Sequence, residues 1–174
     1  MIDDDDLDWL EAAESGCEPI GLPSAVGHES YVSGDPSGYR LSVRYFRDTG
    51  ASSLIAKAVF GPGTQGPPGH AHGGSMAALL DEAMGAAAWM KGHRAVAAEL
   101  TVRFRTMLPL GSRALVRARV MNVDGRKVYV KGALTDGQQT LFAEGEALFI
   151  TLDAGRFGPP AEDASRVFGG PDLP

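Results

Sequence analysis

Residues 66–91 read GPPGHAHGGSMAALLDEAMGAAAWMK. A Gly/Pro-rich loop runs into a stretch from Ser75 to Met90 that is nearly all apolar or helix-forming and holds no proline, the pattern of a long helix. Asp81 and Glu82 are its only charges between Gly74 and Met90. A helix facing water carries a charged face. This one is apolar almost all round and is predicted to be buried almost all round.

At about 100° per residue, Met76, Leu79, Leu80, Ala83, Ala87 and Met90 share one face. Ala78, Asp81, Gly85 and Ala88 lie roughly opposite. Asp81 therefore stands among small residues that let a ligand or another backbone come close. A carboxylate placed there is desolvated, its pKa rises, and it becomes a better base. The plainer alternative is an Asp81 that faces solvent or pairs with an Arg. At the helix start, His72, Gly73 and Gly74 carry amides with no partner inside the helix, beside the positive end of the dipole. That is how an oxyanion hole is built. It is equally how a glycine hinge is built.

Gly73 and Asp81 are eight residues apart, about 12 Å along a helix. Each must come within about 3 Å of one reacting carbonyl to act on it. If both serve one substrate, they come from two chains. Antiparallel helices in a two-fold dimer would bring one helix start near the middle of the other.

The flanking sequence supplies a sheet for this helix. Residues 39–47 alternate Leu41, Val43 and Tyr45 against Arg40, Ser42 and Arg44, as a half-buried strand does. Residues 53–60 form a second strand. After the helix, residues 95–108, 113–123, 127–135 and 140–152 all read as strands. Asp124-Gly125 marks a tight hairpin, and the last three runs make an antiparallel meander. Before residue 39, Asp6 is predicted to cap a short helix over 7–15, packed either across the body or on a partner subunit. Residues 16–38 read as an irregular connection, with His28 incidental within it. The expected organisation is an extension over 1–38, one α+β domain over 39–152 and a Gly/Pro-rich tail over 153–174. A single buried helix needs a sheet that curls around it, and the edges of that sheet invite a second copy.

The chain has 174 residues, is 44% hydrophobic and 22% charged, and carries a net charge of −6. Seven of its 22 acids fall within the first 14 residues, so the remainder is about neutral. A neutral body argues against broad nucleic-acid binding. The single Cys17 excludes an internal disulfide framework and a Cys-based metal site. The acidic N-terminus is unlike a signal peptide and no apolar run spans a membrane. The expected setting is the cytoplasm.

The layout of these elements resembles the hotdog fold, a curved antiparallel sheet around one long helix. His72-Gly73-Gly74-Ser75-Met76-Ala77-Ala78-Leu79-Leu80-Asp81-Glu82-Ala83-Met84-Gly85 is similar to the signature of acyl-CoA thioesterases of the phenylacetic-acid-degradation type, with the acid nine positions after the His. Residues 98–104 and Pro109-Leu110-Gly111 are similar to that family's strand after the helix. The resemblance covers about residues 39–152. It implies a homodimer or homotetramer that hydrolyses acyl-CoA thioesters to the free acid and coenzyme A. Gly73 would polarise the thioester carbonyl and Asp81 of the other subunit would act as general base or nucleophile. His72 would hold the thioester end or the helix start. Gly74, Gln65, Thr101 and Ala97 are candidate substrate contacts. Many relatives have Asn or Gln where this chain has Gly66, which leaves Gln65 as the nearest substitute. Ala97 occupies a place where relatives often carry Ser or Thr, and Thr101, read as lying on the same strand face, is the stand-in.

No metal, redox cofactor or membrane partner is expected; coenzyme A enters only with the substrate. His70-Ala71-His72 is a weak metal pair, with no acid or Cys beside it. Arg103, Arg105, Arg113, Arg117 and Arg119 read chiefly as outward faces of strands, although Arg also suits coenzyme A phosphates. His93, just past the helix, suits its dipole. The alternatives are a hotdog enoyl-CoA hydratase or dehydratase, and a non-catalytic acyl-CoA binder.

Overall fold

The computed structural model describes residues 2–22 and 30–153. His28 and the tail beyond Asp153 lie outside the described residues. Helix α1 (Asp4–Glu11) and strand β1 (Cys17–Ile20) precede β2 (Leu41–Asp48) and β3 (Ser53–Phe60). The long helix α2 (Gly73–Met90) is followed by β4 (Ala95–Phe104), β5 (Arg113–Asp124), β6 (Lys127–Thr135) and β7 (Leu141–Thr151). The strands form one antiparallel sheet in the order β1-β2-β3-β5-β6-β7-β4. A single long helix against such a sheet is the hotdog arrangement that the sequence predicts. No helix is long and apolar enough to cross a membrane among the described residues.

Helix α2 buries Met76, Leu79, Leu80, Ala83, Met84, Ala86, Ala87 and Ala88, so burial extends past the predicted stripe onto Ala88. The sheet comes close because two facing positions lack side chains. A Cβ on Gly132 would stand 3.1 Å from Met84 Cγ, and one on Gly145 would stand 2.9 Å from Met84 Cε. Packing at that density leaves no room for an added methyl.

Every residue of β3 is buried, because both faces of the sheet are covered there. On the face opposite α2 lies α1, whose Leu10 is fully buried. Trp9 packs with Phe46, Ile55 and Leu115 in a second small core. Lys57 Nζ donates to Trp9 O at 2.9 Å and Ala12 O at 2.6 Å, meeting carbonyls that the end of α1 leaves without partners. The same amine stands 4.8 Å from the Trp9 ring centre. Asp6, Glu11 and Glu14 pair with Arg113, Arg44 and Arg117. The acidic N-terminal segment therefore packs across the body of its own chain.

Three local expectations are corrected. The cap of α1 is Asp3, which accepts from the Asp6 amide at 2.9 Å, and the helix begins three residues before the predicted start. Asp4, Asp5 and Asp6 then fill the first turn, where the dipole favours acids. Second, part of the predicted irregular connection is β1, paired with β2. It is short and contains Pro19, which an edge strand tolerates. Third, β4 stops at Phe104 rather than running to 108.

Candidate active site

The site is built around the two ends of the first half of α2. His72 caps the helix with extended backbone (φ −66°, ψ 138°), and its Nδ1 accepts from the Gly74 amide at 2.8 Å. The sequence reading left both glycine amides open. The structure corrects this for Gly74, whose N–H is taken up by the cap. The Gly73 amide makes no hydrogen bond among the described residues. It is the unspent donor at the positive end of the helix. The ring of Phe104 lies against it: a Cβ on Gly73 would stand 3.2 Å from Phe104 Cζ.

The loop before the helix explains the Gly66 departure. Gln65 bridges Ala71, and His72 N donates to Thr64 O at 2.7 Å. The chain folds back so tightly that a Cβ on Gly66 would fall 2.7 Å from His72 Cα. An Asn or Gln cannot occupy this position without moving the backbone of His72. Gln65 is exposed beside it.

Asp81 is half-buried one face away from the core stripe. Its Oδ1 is buried with no hydrogen-bond partner among the described residues. Burial, and then the neighbouring Glu82 charge, hold its carboxyl above the usual aspartate range. Neither Asp81 nor Glu82 makes an ion pair among the described residues, which disfavours the Arg-paired alternative for Asp81. An orphaned, desolvated carboxylate oxygen costs stability and is suited to take a proton.

Strand β4 carries the other two candidates, and its register separates them. Ala97 pairs with Phe149, whereas Thr101 pairs with Glu146, across a bulge between Ala97 and Glu99. Paired residues share a face, and one extra residue reverses the alternation. Ala97 therefore shares the face of buried Phe149, whose ring lies 3.3 Å from a Cβ built on Gly85, one turn after Asp81. Thr101 shares the face of Glu146, which pairs with Lys131 and Arg103. It points away from α2, so the reading of Thr101 as the stand-in for Ala97 is overturned.

The arginines face outward: Arg103, Arg105, Arg113 and Arg117 pair with Glu146, Glu144, Asp6 and Glu14. His70 Nδ1 lies 2.9 Å from Pro68 O. No group of three His, Cys, Asp or Glu gathers as a metal site among the described residues. The sequence reading missed Phe104, which only the fold brings to Gly73. It also missed Glu82, whose carboxylate accepts hydrogen bonds from Tyr45 and Ser30, residues 37 and 52 positions away. The only available signal was a second acid inside an apolar helix.

Comparison with known proteins bears on the family and the fold. The thioesterase superfamily model matches residues 68–143, which contain the cap, Gly73, Asp81 and β4. The chain is 34% identical over 169 residues to the acyl-coenzyme A thioesterase THEM5 of Mus musculus, across 83% of this chain and 68% of that protein. It spans less than half the length of the human THEM5 and of the Xenopus laevis THEM4. A thioesterase superfamily protein of known structure is 30% identical with a TM-score of 0.60, over 63% of this chain and 53% of that one. The E. coli PaaI protein shares the fold, with a TM-score of 0.57 at 18% identity over 65% of this chain and 80% of its own. The helix with its capped glycine start, the sheet around it and the extent of the match to mouse THEM5 together place this chain in the thioesterase superfamily.

Proposed function

We propose that the protein hydrolyses acyl-CoA thioesters to the free acid and coenzyme A. The observation that carries this reading is the pair of unspent groups on one helix: the Gly73 amide at its start and the partnerless Asp81 Oδ1 two turns on. The names of the mouse and frog relatives support acyl-CoA as the substrate class.

In this reading the Gly73 N–H donates to the thioester carbonyl oxygen as negative charge develops on it. Asp81 takes a proton from water as its oxygen bonds to the carbonyl carbon. The tetrahedral intermediate collapses, the C–S bond breaks, and the coenzyme A thiolate leaves and is protonated. Alternatively the Asp81 carboxylate attacks the carbonyl carbon directly, the C–S bond breaks and the coenzyme A thiolate leaves and is protonated, and water then hydrolyses the resulting mixed anhydride to the free acid and the Asp81 carboxylate. His72 holds the helix start through the Gly74 amide, Ala97 lines the helix-facing side of β4, and Gln65 stands at the rim. No metal or redox cofactor is required by either route.

Because the two groups are about 12 Å apart along one helix, the working unit is a homodimer in which each site draws on both chains. The β4 edge supports this assembly. Among the described residues it pairs only with β7, and it leaves Val96 43%, Leu100 39% and Phe104 52% exposed, an open strand with apolar side chains.

The test is an Asp81→Ala variant assayed against short, long and aryl acyl-CoAs, with enoyl-CoA hydration measured alongside. Loss of thiol release by at least a hundredfold in a folded protein is expected. Wild-type rates in that variant would end the reading, and enoyl-CoA hydration by the wild type without hydrolysis would replace it with a hydratase.

A further inference from the structure

Glu82 is a second acid in the apolar helix, and the mechanism above makes no use of it. Its two carboxylate oxygens are both occupied: Tyr45 on β2 donates to Oε1, and Ser30 of the turn before β2 donates to Oε2. Tyr45 is 6% exposed. Ser30 Oγ in turn accepts from the Val32 and Ser33 amides, both at 3.2 Å, so the turn is closed around the same hydroxyl. Val32 is buried in the main core. Three separate pieces of chain, 30–33, β2 and α2, thus meet at one carboxylate beside Asp81.

The arrangement is costly unless it does something. Glu82 is half-buried; a carboxylate so placed gives up part of its hydration, a cost that a packed apolar residue in its place would avoid. Among the described residues no cation offsets it. Among the described residues the groups that face Glu82 are Tyr45 from β2, Ser30 from the turn and Asp81 on its own helix. No ion pair among the described residues reaches either acid. What the clamp secures is a negative charge at a fixed place next to an Asp81 whose own oxygen is orphaned.

We propose that Glu82 is a positioning residue for the hydrolysis: held by the Tyr45 and Ser30 hydroxyls, it fixes a negative charge beside Asp81 and pins the 30–33 turn across α2. This rests on the reading of Asp81 as the base. A like charge held close disfavours ionisation of its neighbour, and Glu82 acts on Asp81 in that sense after burial itself. The result is a carboxylate that takes protons more readily. Freed from the clamp, Glu82 would swing toward water and its influence would be screened.

The experiment follows kcat/KM against pH with the acyl-CoA that the wild type hydrolyses best, in wild type, Glu82→Gln and the double variant Ser30→Ala/Tyr45→Phe. Asp81→Asn is the reference. The first variant removes the charge and keeps a hydrogen-bonding amide; the second keeps the charge and releases it. In both, the acid limb is expected to move to lower pH by roughly half a unit or more, and the plateau rate to fall about threefold as the base weakens. A merely structural Glu82 would change melting temperature and leave the limb in place. An acid limb within about 0.2 units of wild type, in whichever variant folds, overturns the proposal. If Asp81→Asn itself retains wild-type turnover, it is the catalytic reading that has failed, and the two failures are told apart by that reference.

Discussion

The Phe104 ring rests on Gly73, with its Cζ 3.2 Å from where a Cβ would be built. The candidate oxyanion donor therefore has an aromatic wall supplied by the edge strand of its own chain. Phe104 is 52% exposed, so the ring can give way without disturbing the core. Gly73→Ala should accordingly fold with stability within about 1 kcal/mol of wild type, because Ala also favours the helix. Its displaced ring would crowd the carbonyl, and kcat/KM should fall at least tenfold. Removing the wall in the same protein, as Gly73→Ala/Phe104→Ala, should return part of the loss. Steady-state kinetics on the four-member cycle measures this coupling. Additive losses would show that the ring and the amide act independently.

Asp81 should trade stability for activity. Its folded pKa is raised, chiefly by burial. A carboxyl of this kind favours the fold while protonated, below the unfolded value of about 4. That contribution is lost as pH rises through the raised folded value. At neutral pH the ionised group therefore burdens the native state, and Asp81→Asn should melt a few degrees higher than wild type while being inactive. The gain should shrink as pH falls and disappear below about pH 4. Thermal melts of both proteins from pH 7 to pH 3.5 read this directly. A variant less stable than wild type at pH 7 contradicts the direction.

The long helix and most strands are legible from periodicity because burial imposes it. The features that were missed have physical reasons. Strand β1 is four residues with a proline, too short and too irregular to alternate. The face of Thr101 was misread because the bulge after Ala97 is a backbone event with no residue that announces it among Ala95–Phe104. The Glu82 clamp joins residues 37 and 52 positions apart, and no local pattern encodes such a meeting.

The bulge yields its own test. Thr101 points to the face away from α2, so Thr101→Val should leave kcat and KM within about twofold, the usual size of a surface change. Ala97 faces α2 beside Phe149, so Ala97→Ser would place a hydroxyl on the side of Asp81 and should raise kcat severalfold. Parallel kinetics on the two variants decide it. A large loss in Thr101→Val with no effect in Ala97→Ser would mean that the register is displaced by one.

The two-chain site makes the sharpest prediction. Gly73→Pro removes the candidate donor with little structural cost, because Pro is favoured at the first helical position. His72 already has the extended backbone (φ −66°, ψ 138°) that a following Pro requires. Alone, it should lose about a hundredfold to a thousandfold in kcat, and Asp81→Ala should be inactive. When the two inactive proteins are unfolded, mixed in equal amounts and refolded, half of the dimers are mixed. Each mixed dimer holds one site with an intact Gly73 from one chain and an intact Asp81 from the other. Activity should return to about a quarter of the wild-type value, and refolding either variant alone should return none. If both groups served a site within one chain, every site in the mixture would carry a defect and no activity could return. The same would hold for a monomer, which size-exclusion chromatography of the refolded mixture distinguishes.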